Sequence, residues 1–110
     1  MLHFGQNYGF NTSKIILAGD SSGGNLCLGV TQLAIKFQIK PPDGLLLCYP
    51  AVYLNLDYLT PSYYNALDDW LLPYSFLLII IDCYIQDQEG FAMKINPLIS
   101  ALVMKDNVMA

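Results

Sequence analysis

Charged side chains make up only 13% of this 110-residue chain, where an ordinary soluble domain carries about a quarter. With 55% hydrophobic residues, too few polar groups remain to coat an independent small domain. The composition therefore predicts the inner portion of a larger sheet, a fragment or partial gene product. The net charge of −4 and the lack of any Lys/Arg cluster exclude nucleic acid, and charge-driven binding to anionic membranes, as partners. There is one histidine, His3, and neither a Cys-x-x-Cys pair nor a His/Cys cluster, so no metal and no cofactor is expected. Cys27, Cys48 and Cys83 are odd in number, widely spaced and flanked by apolar residues; they read as reduced, buried thiols rather than a disulfide framework. The first residues lack the basic start and apolar core of a signal peptide, which predicts a cytoplasmic protein. Long apolar runs are missing too. The longest, Trp70 to Ile81, falls short of the roughly twenty residues needed to span a bilayer, with Pro73 near one end and Asp82 closing the other. A core helix, or a helix facing lipid, is expected there.

What is present is a strand running into a serine turn and then a helix. From Lys14 to Asn25 the sequence reads KIILAGDSSGGN. Ile15, Ile16, Leu17 and Ala18 form the continuous apolar run of a parallel strand covered on both faces. Gly19-Asp20-Ser21-Ser22-Gly23 then matches Gly-x-Ser-x-Gly, and Leu26, Val30, Leu33, Ala34 and Phe37 recur at helical spacing, marking a buried face. A serine on such a strand-to-helix turn is a nucleophile elbow. Its backbone is forced into positive φ, and Gly19 and Gly23 remove the Cβ atoms that would collide as strand and helix fold back. Ser21 is then the nucleophile. The backbone N–H of Ser22, at the helix start, supplies one donor to an oxyanion, aided by the helix dipole. Asp20 and Gly24 complete the elbow. The bland alternative is a Gly/Ser loop joining strand to helix. The run also overlaps the Gly-Asp-Ser-Gly-Gly-Pro of trypsin-like proteases, but Ser22 interrupts that order, a helix follows, and the required histidine would lie far upstream.

Elsewhere the pattern is coarser. Residues 1–9 read as the end of a helix closing at Gly9, and Asn11-Thr12-Ser13 as a turn into the strand. The elbow helix is predicted over 22–38, followed by a Pro41-Pro42-Asp43-Gly44 turn and a parallel strand over Leu45–Tyr49, ended by Pro50 and lying beside the first. Residues 51–65, with four tyrosines and Pro61, are predicted irregular; the tyrosines either pack or line an acyl pocket. Asp68 or Asp69 caps a helix over Leu72–Tyr84, with Pro73 in its first turn. Gln86 to Glu89 lead on to Asn96-Pro97 and the final apolar run. Because the chain order in this architecture is serine, acid, histidine, His3 is not the catalytic base.

The run Gly19-Asp-Ser-Ser-Gly-Gly-Asn-Leu-Cys27 resembles the Gly-Asp-Ser-Ala-Gly-Gly-Asn-Leu-Cys signature of the hormone-sensitive lipase family of α/β-hydrolases, with Ser22 in place of alanine. Pro42-Asp43-Gly44, Tyr49-Pro50-Ala51, Asp69 with Leu71-Leu72-Pro73, and Asn96-Pro97 with Ser100 resemble later landmarks of that family, so the similarity spans nearly the whole chain. The resemblance implies an α/β-hydrolase fold, residues 1–110 being part of a single catalytic domain. It implies hydrolysis of acylglycerols, cholesteryl esters or related lipid esters through an acyl-enzyme at Ser21, extending to association with lipid droplets or membrane surfaces. The family's His-Gly-Gly-Gly oxyanion segment is absent, and its acid and histidine belong to later strands, beyond Ala110; Asp57, Asp68, Asp69, Asp82 and Asp87 match no acid motif. The long phosphorylated insert of the mammalian lipase has no counterpart, since only residues 85–95 intervene between Tyr84 and Asn96. The chain alone is therefore expected to be nearly inactive. Two rival readings are a non-catalytic truncated remnant binding lipid or protein partners, and a monotopic membrane protein anchored by residues 70–81.

Overall fold

The computed structural model describes residues 5–55, 60–65, 67–85 and 96–103. His3, Asp57, Tyr58 and the 86–89 stretch, including Asp87, lie outside them. The chain divides into two compact units, Met1–Ala51 with Lys105–Ala110, and Val52–Met104.

In the first unit a 3₁₀ turn, Gly5–Tyr8, stops at Gly9, whose φ of 79° only glycine adopts freely. Over the described residues 5–9 the predicted helix end is thus a 3₁₀ turn. The Asn11 side chain accepts the Ser13 N–H at 3.0 Å, turning the chain into β1, Ile16–Asp20. Helix α1, Ser22–Lys36, follows at once, and β2, Gly44–Cys48, returns parallel to β1 in register from Ile16↔Gly44 to Asp20↔Cys48. The entry to both strands is pinned by Asp43. Its Oδ2 accepts the Ile15 N–H at 2.8 Å and the Lys40 ammonium at 3.0 Å, while its own N–H donates to the Ile15 carbonyl at 2.7 Å. The Ile15 N–H, then the Lys40 hydrogen bond, hold the Asp43 carboxyl below its ordinary range.

Helix α1 departs from the predicted pattern in two ways. It stops at Lys36 because Gln38, at φ 55°, takes the left-handed position of a Schellman cap: the Gln38 N–H donates to Ile35 O at 3.1 Å and the Ile39 N–H to Ala34 O at 2.9 Å. Its buried residues are Gly24, Asn25, Gly29 and Gln32, whereas Leu26, Val30 and Phe37, predicted to be buried, are exposed. At Gly24 the helix backbone comes close to β1, where a Cβ would lie 3.3 Å from Gly19 O, so the small face is buried and the apolar stripe turns outward. The strands likewise leave one face open, the one that carries Ile16 and Leu46.

In the second unit, α2, Pro61–Asn65, interrupts the segment predicted to be irregular, and α3, Tyr74–Ile85, carries the core residues Ile81 and Ile85. Leu54, Tyr63, Tyr74 and Leu77 pack against that pair. Tyr63 meets Tyr74 edge to face, centroids 6.2 Å apart, and its hydroxyl donates to Tyr53 O at 3.0 Å, so this tyrosine packs. Burial, then the neighbouring Tyr74 and Tyr53, push its phenol upward. Asp69 does not cap α3. Its Oδ1 accepts the N–H groups of Leu71 at 2.9 Å and Leu72 at 2.8 Å, closing a turn ahead of the helix, and the Pro73 carbonyl receives the first helical bonds from Phe76 and Leu77. Asn96 closes a similar turn through Leu98, leading to buried Ser100, whose Oγ accepts the Leu54 N–H at 3.0 Å, and to a 3₁₀ turn, Ala101–Val103.

All three cysteines are free thiols, but only Cys27 is half-buried; Cys48 and Cys83 are exposed, because the surfaces that carry them are uncovered. Among the described residues, no helix is long and apolar enough to cross a membrane.

Candidate active site

Strand β1 ends at Asp20, and the next residue, Ser21, stands at φ 49°, ψ −116°. For a residue with a side chain this conformation costs on the order of 1–3 kcal/mol and survives only where the surroundings enforce it. Ser21 occupies the N-cap position of α1, yet its hydroxyl makes no capping bond, unlike an ordinary N-cap serine. Residue and hydroxyl are left at the exposed turn. Ser22 is the first residue of α1, where backbone amides have no intrahelical partner. Gly19, Asp20, Ser21, Ser22, Gly23 and Gly24 are thus gathered in one strand-to-helix turn.

The glycines contribute unequally. A Cβ at Gly19 would lie 2.4 Å from Gly23 C, 2.5 Å from Gly23 O and 2.8 Å from Gly24 N, so the turn cannot close around a side chain there. A Cβ at Gly24 would lie 2.8 Å from Pro50 Cβ and 3.1 Å from Pro50 Cα. At Gly23 it would meet only Asp20 Oδ1, at an ordinary 3.9 Å. The collision expected at Gly23 belongs instead to Gly24, because the segment after β2 presses on the helix start.

That segment is the part of the site that sequence reasoning missed. The Ser21 N–H donates to Cys48 O at 3.0 Å, and the Ser21 carbonyl accepts from Ala51 N at 3.1 Å and Asn25 N at 3.2 Å. Buried Asn25 also donates from Nδ2 to Ala51 O at 2.5 Å. Between the two bridges sits Tyr49, exposed and at φ 37°. Parallel pairing put this segment beside the turn, and Tyr49-Pro50-Ala51 could be placed there from sequence; its bonds to Ser21 leave no trace in residue types. The polar Asn25, four residues after Ser21 and directly after Gly23-Gly24, was the one available signal. Among the described residues, no group of three or more His, Cys, Asp or Glu side chains could hold a metal ion.

The chain as a whole is similar to known proteins. A family model described as alpha/beta hydrolase fold matches residues 2–109. Hormone-sensitive lipase of Bos taurus is 41% identical over 76 residues, which cover 69% of this chain and 10% of the lipase. The Homo sapiens lipase is 41% identical over 76 residues, 69% of this chain and 7% of that protein. The chain therefore spans a tenth or less of the length of these relatives. Carboxyl esterase 2 of the fungus Tuber melanosporum superposes with a TM-score of 0.86 over 98% of this chain and 34% of that structure, at 20% identity. ESTFA, in its Fe-lacking apo form, superposes with a TM-score of 0.72 over 94% of this chain and 31% of that one, at 24% identity. At such identities these two structures speak for the fold. With the fold and the match across nearly every residue in agreement, the chain belongs to the alpha/beta hydrolase fold family.

Proposed function

We propose that this chain is the nucleophile-bearing part of a serine carboxylic-ester hydrolase, a lipase or esterase, in which Ser21 is acylated. The observation that carries this reading is Ser21 itself, a non-glycine residue at φ 49° whose hydroxyl is not spent on capping the helix behind it. Strain of this kind at an exposed serine is what presentation of a nucleophile requires. Ser21 Oγ attacks the ester carbonyl and its proton passes to a histidine outside this chain. The carbonyl oxygen, now anionic, is held by the Ser22 amide. Collapse expels the alcohol, which takes the proton from that histidine, and water then hydrolyses the acyl-enzyme to the free acid. Gly19, Asp20, Gly23 and Gly24 form the elbow that makes this possible. Residues 1–110 then make up part of one catalytic domain, with the second oxyanion segment and the acid supplied elsewhere. The relatives named lipases support lipid esters as the substrate class; the proposal extends to acylglycerols, cholesteryl esters or similar esters, met in the cytoplasm and at lipid-droplet or membrane surfaces.

Labelling with a fluorophosphonate probe tests this. The 110-residue chain and the longest natural product containing it are each compared with their Ser21→Ala variants. Labelling of the longer form that disappears with Ser21→Ala is expected, with the short chain labelling far more slowly. No labelling of either form would replace this reading with a non-catalytic chain that keeps the turn and binds lipid or protein partners.

A further inference from the structure

Three hydrogen bonds behind Ser21 form a closed ring. The Ser21 carbonyl accepts from the N–H groups of both Asn25 and Ala51, and Asn25 Nδ2 donates to the Ala51 carbonyl. With the bond from Ser21 N–H to Cys48 O, both backbone groups of the strained residue are tied to the segment leaving β2. The other bonds in the ring are main chain to main chain, which nearly any sequence could make. Asn25 is the only side chain in it, and at 6% exposure it is shielded from competing water. Pro50 fills the space that Gly24 leaves open, so segment and helix are already in contact where Asn25 bonds across.

We propose that Asn25 is a positioning residue: by fastening α1 to the Ala51 carbonyl, it holds Ser21 in the backbone conformation from which its hydroxyl can react. The functional half of this inference rests on the reading of Ser21 as nucleophile; the structural half does not. The chemistry demands an amide. Alanine removes the donor and leaves the Ala51 carbonyl without it, while aspartate, the same shape, places a second acceptor against that carbonyl.

The test measures two rates in the longest natural product containing the chain: amide hydrogen exchange at Ala51 and fluorophosphonate labelling. Wild type is compared with Asn25→Ala, Asn25→Asp and a control, Gln32→Ala, which alters another buried polar residue on α1 away from the turn. Both Asn25 variants are expected to exchange the Ala51 amide at least about tenfold faster and to label at least about tenfold more slowly, with Gln32→Ala within about twofold of wild type in both. Unchanged Ala51 exchange in the Asn25 variants overturns the proposal. So does an equal effect of Gln32→Ala, which would mark mere destabilisation, or faster exchange without slower labelling. An unprotected Ala51 amide in the wild type overturns it even where a variant fails to fold. If the wild type does not label, the enzymatic reading fails, and exchange alone decides whether Asn25 holds the turn.

Discussion

At the scale of single residues, Gly19 and Gly23 look interchangeable in Gly-x-Ser-x-Gly, yet their surroundings differ sharply. A Cβ at Gly19 would sit 2.4 Å from a backbone carbon, and backbone cannot swing aside as a side chain can. Gly19→Ala is therefore expected to cost about 1–3 kcal/mol in urea denaturation, the usual penalty of overpacking. Gly23 lies in the first turn of α1 with room for a methyl group, and alanine is the better helix former by up to about 1 kcal/mol. Gly23→Ala should leave stability unchanged or raise it. Equal losses in the two variants would show that the turn is not closed by the backbone approach described above. The motif thus announced the turn and its closure at Gly19, while the crowding of Gly24 rather than Gly23 comes from Pro50 in the segment after β2, which no local spacing encodes.

At the scale of elements, the strand, turn, helix and parallel strand were legible because each rests on local physics: an apolar run, a glycine-flanked serine, helical spacing, a Pro-Asp-Gly turn. The end of α1 was not, since Gln38 stands where glycine usually marks a Schellman cap, and the next strong turn signal lay only at Pro41. The start of α3 was misjudged for a related reason. Asp69 does bind two amides, but they belong to a turn that precedes the helix. Asp43 joins the entries of the two strands in the first unit, and it titrates. Its carboxyl is held below the unfolded value of about 3.9, so the unfolded chain binds the proton more readily than the folded one. Its contribution is then fully present above about pH 4 and is lost as pH falls through the lower, folded value. Asp43→Asn should lower the urea midpoint at pH 7, and the gap from wild type should close progressively below pH 4. Other carboxylates titrate in both proteins and cancel in the difference. A gap that stayed constant from pH 7 to pH 2.5 would show that the ionised form of Asp43 does not stabilise the strand entry.

At the scale of the whole chain, the scarcity of charge in the sequence and the exposure in the structure describe the same condition. Two hydrophobic residues, Ile81 and Ile85, form the described buried cluster, while Trp70 is 92% and Leu71 75% exposed. The outward stripe of α1, with Leu26, Val30 and Phe37, repeats this in the first unit. Helical periodicity correctly found apolar stripes but could not say which face would meet the strands, because it counts residues without knowing what lies opposite. Surfaces of this kind are normally covered, and the chain accounts for only 34% of one solved structure of the same fold and 10% of a curated relative. The expected outcome is that the isolated 110-residue chain self-associates with rising concentration in analytical ultracentrifugation and strongly enhances the fluorescence of anilinonaphthalene sulfonate. The double substitution Trp70→Glu with Leu71→Glu should reduce both effects at unchanged melting temperature, since these side chains are too exposed to contribute to the core. Within the longest natural product, the dye response per chain should fall. A monomer that ignores the dye at every concentration would mean that these apolar faces are closed in solution by the chain itself, and the case for a larger domain around it would then rest on the relatives alone.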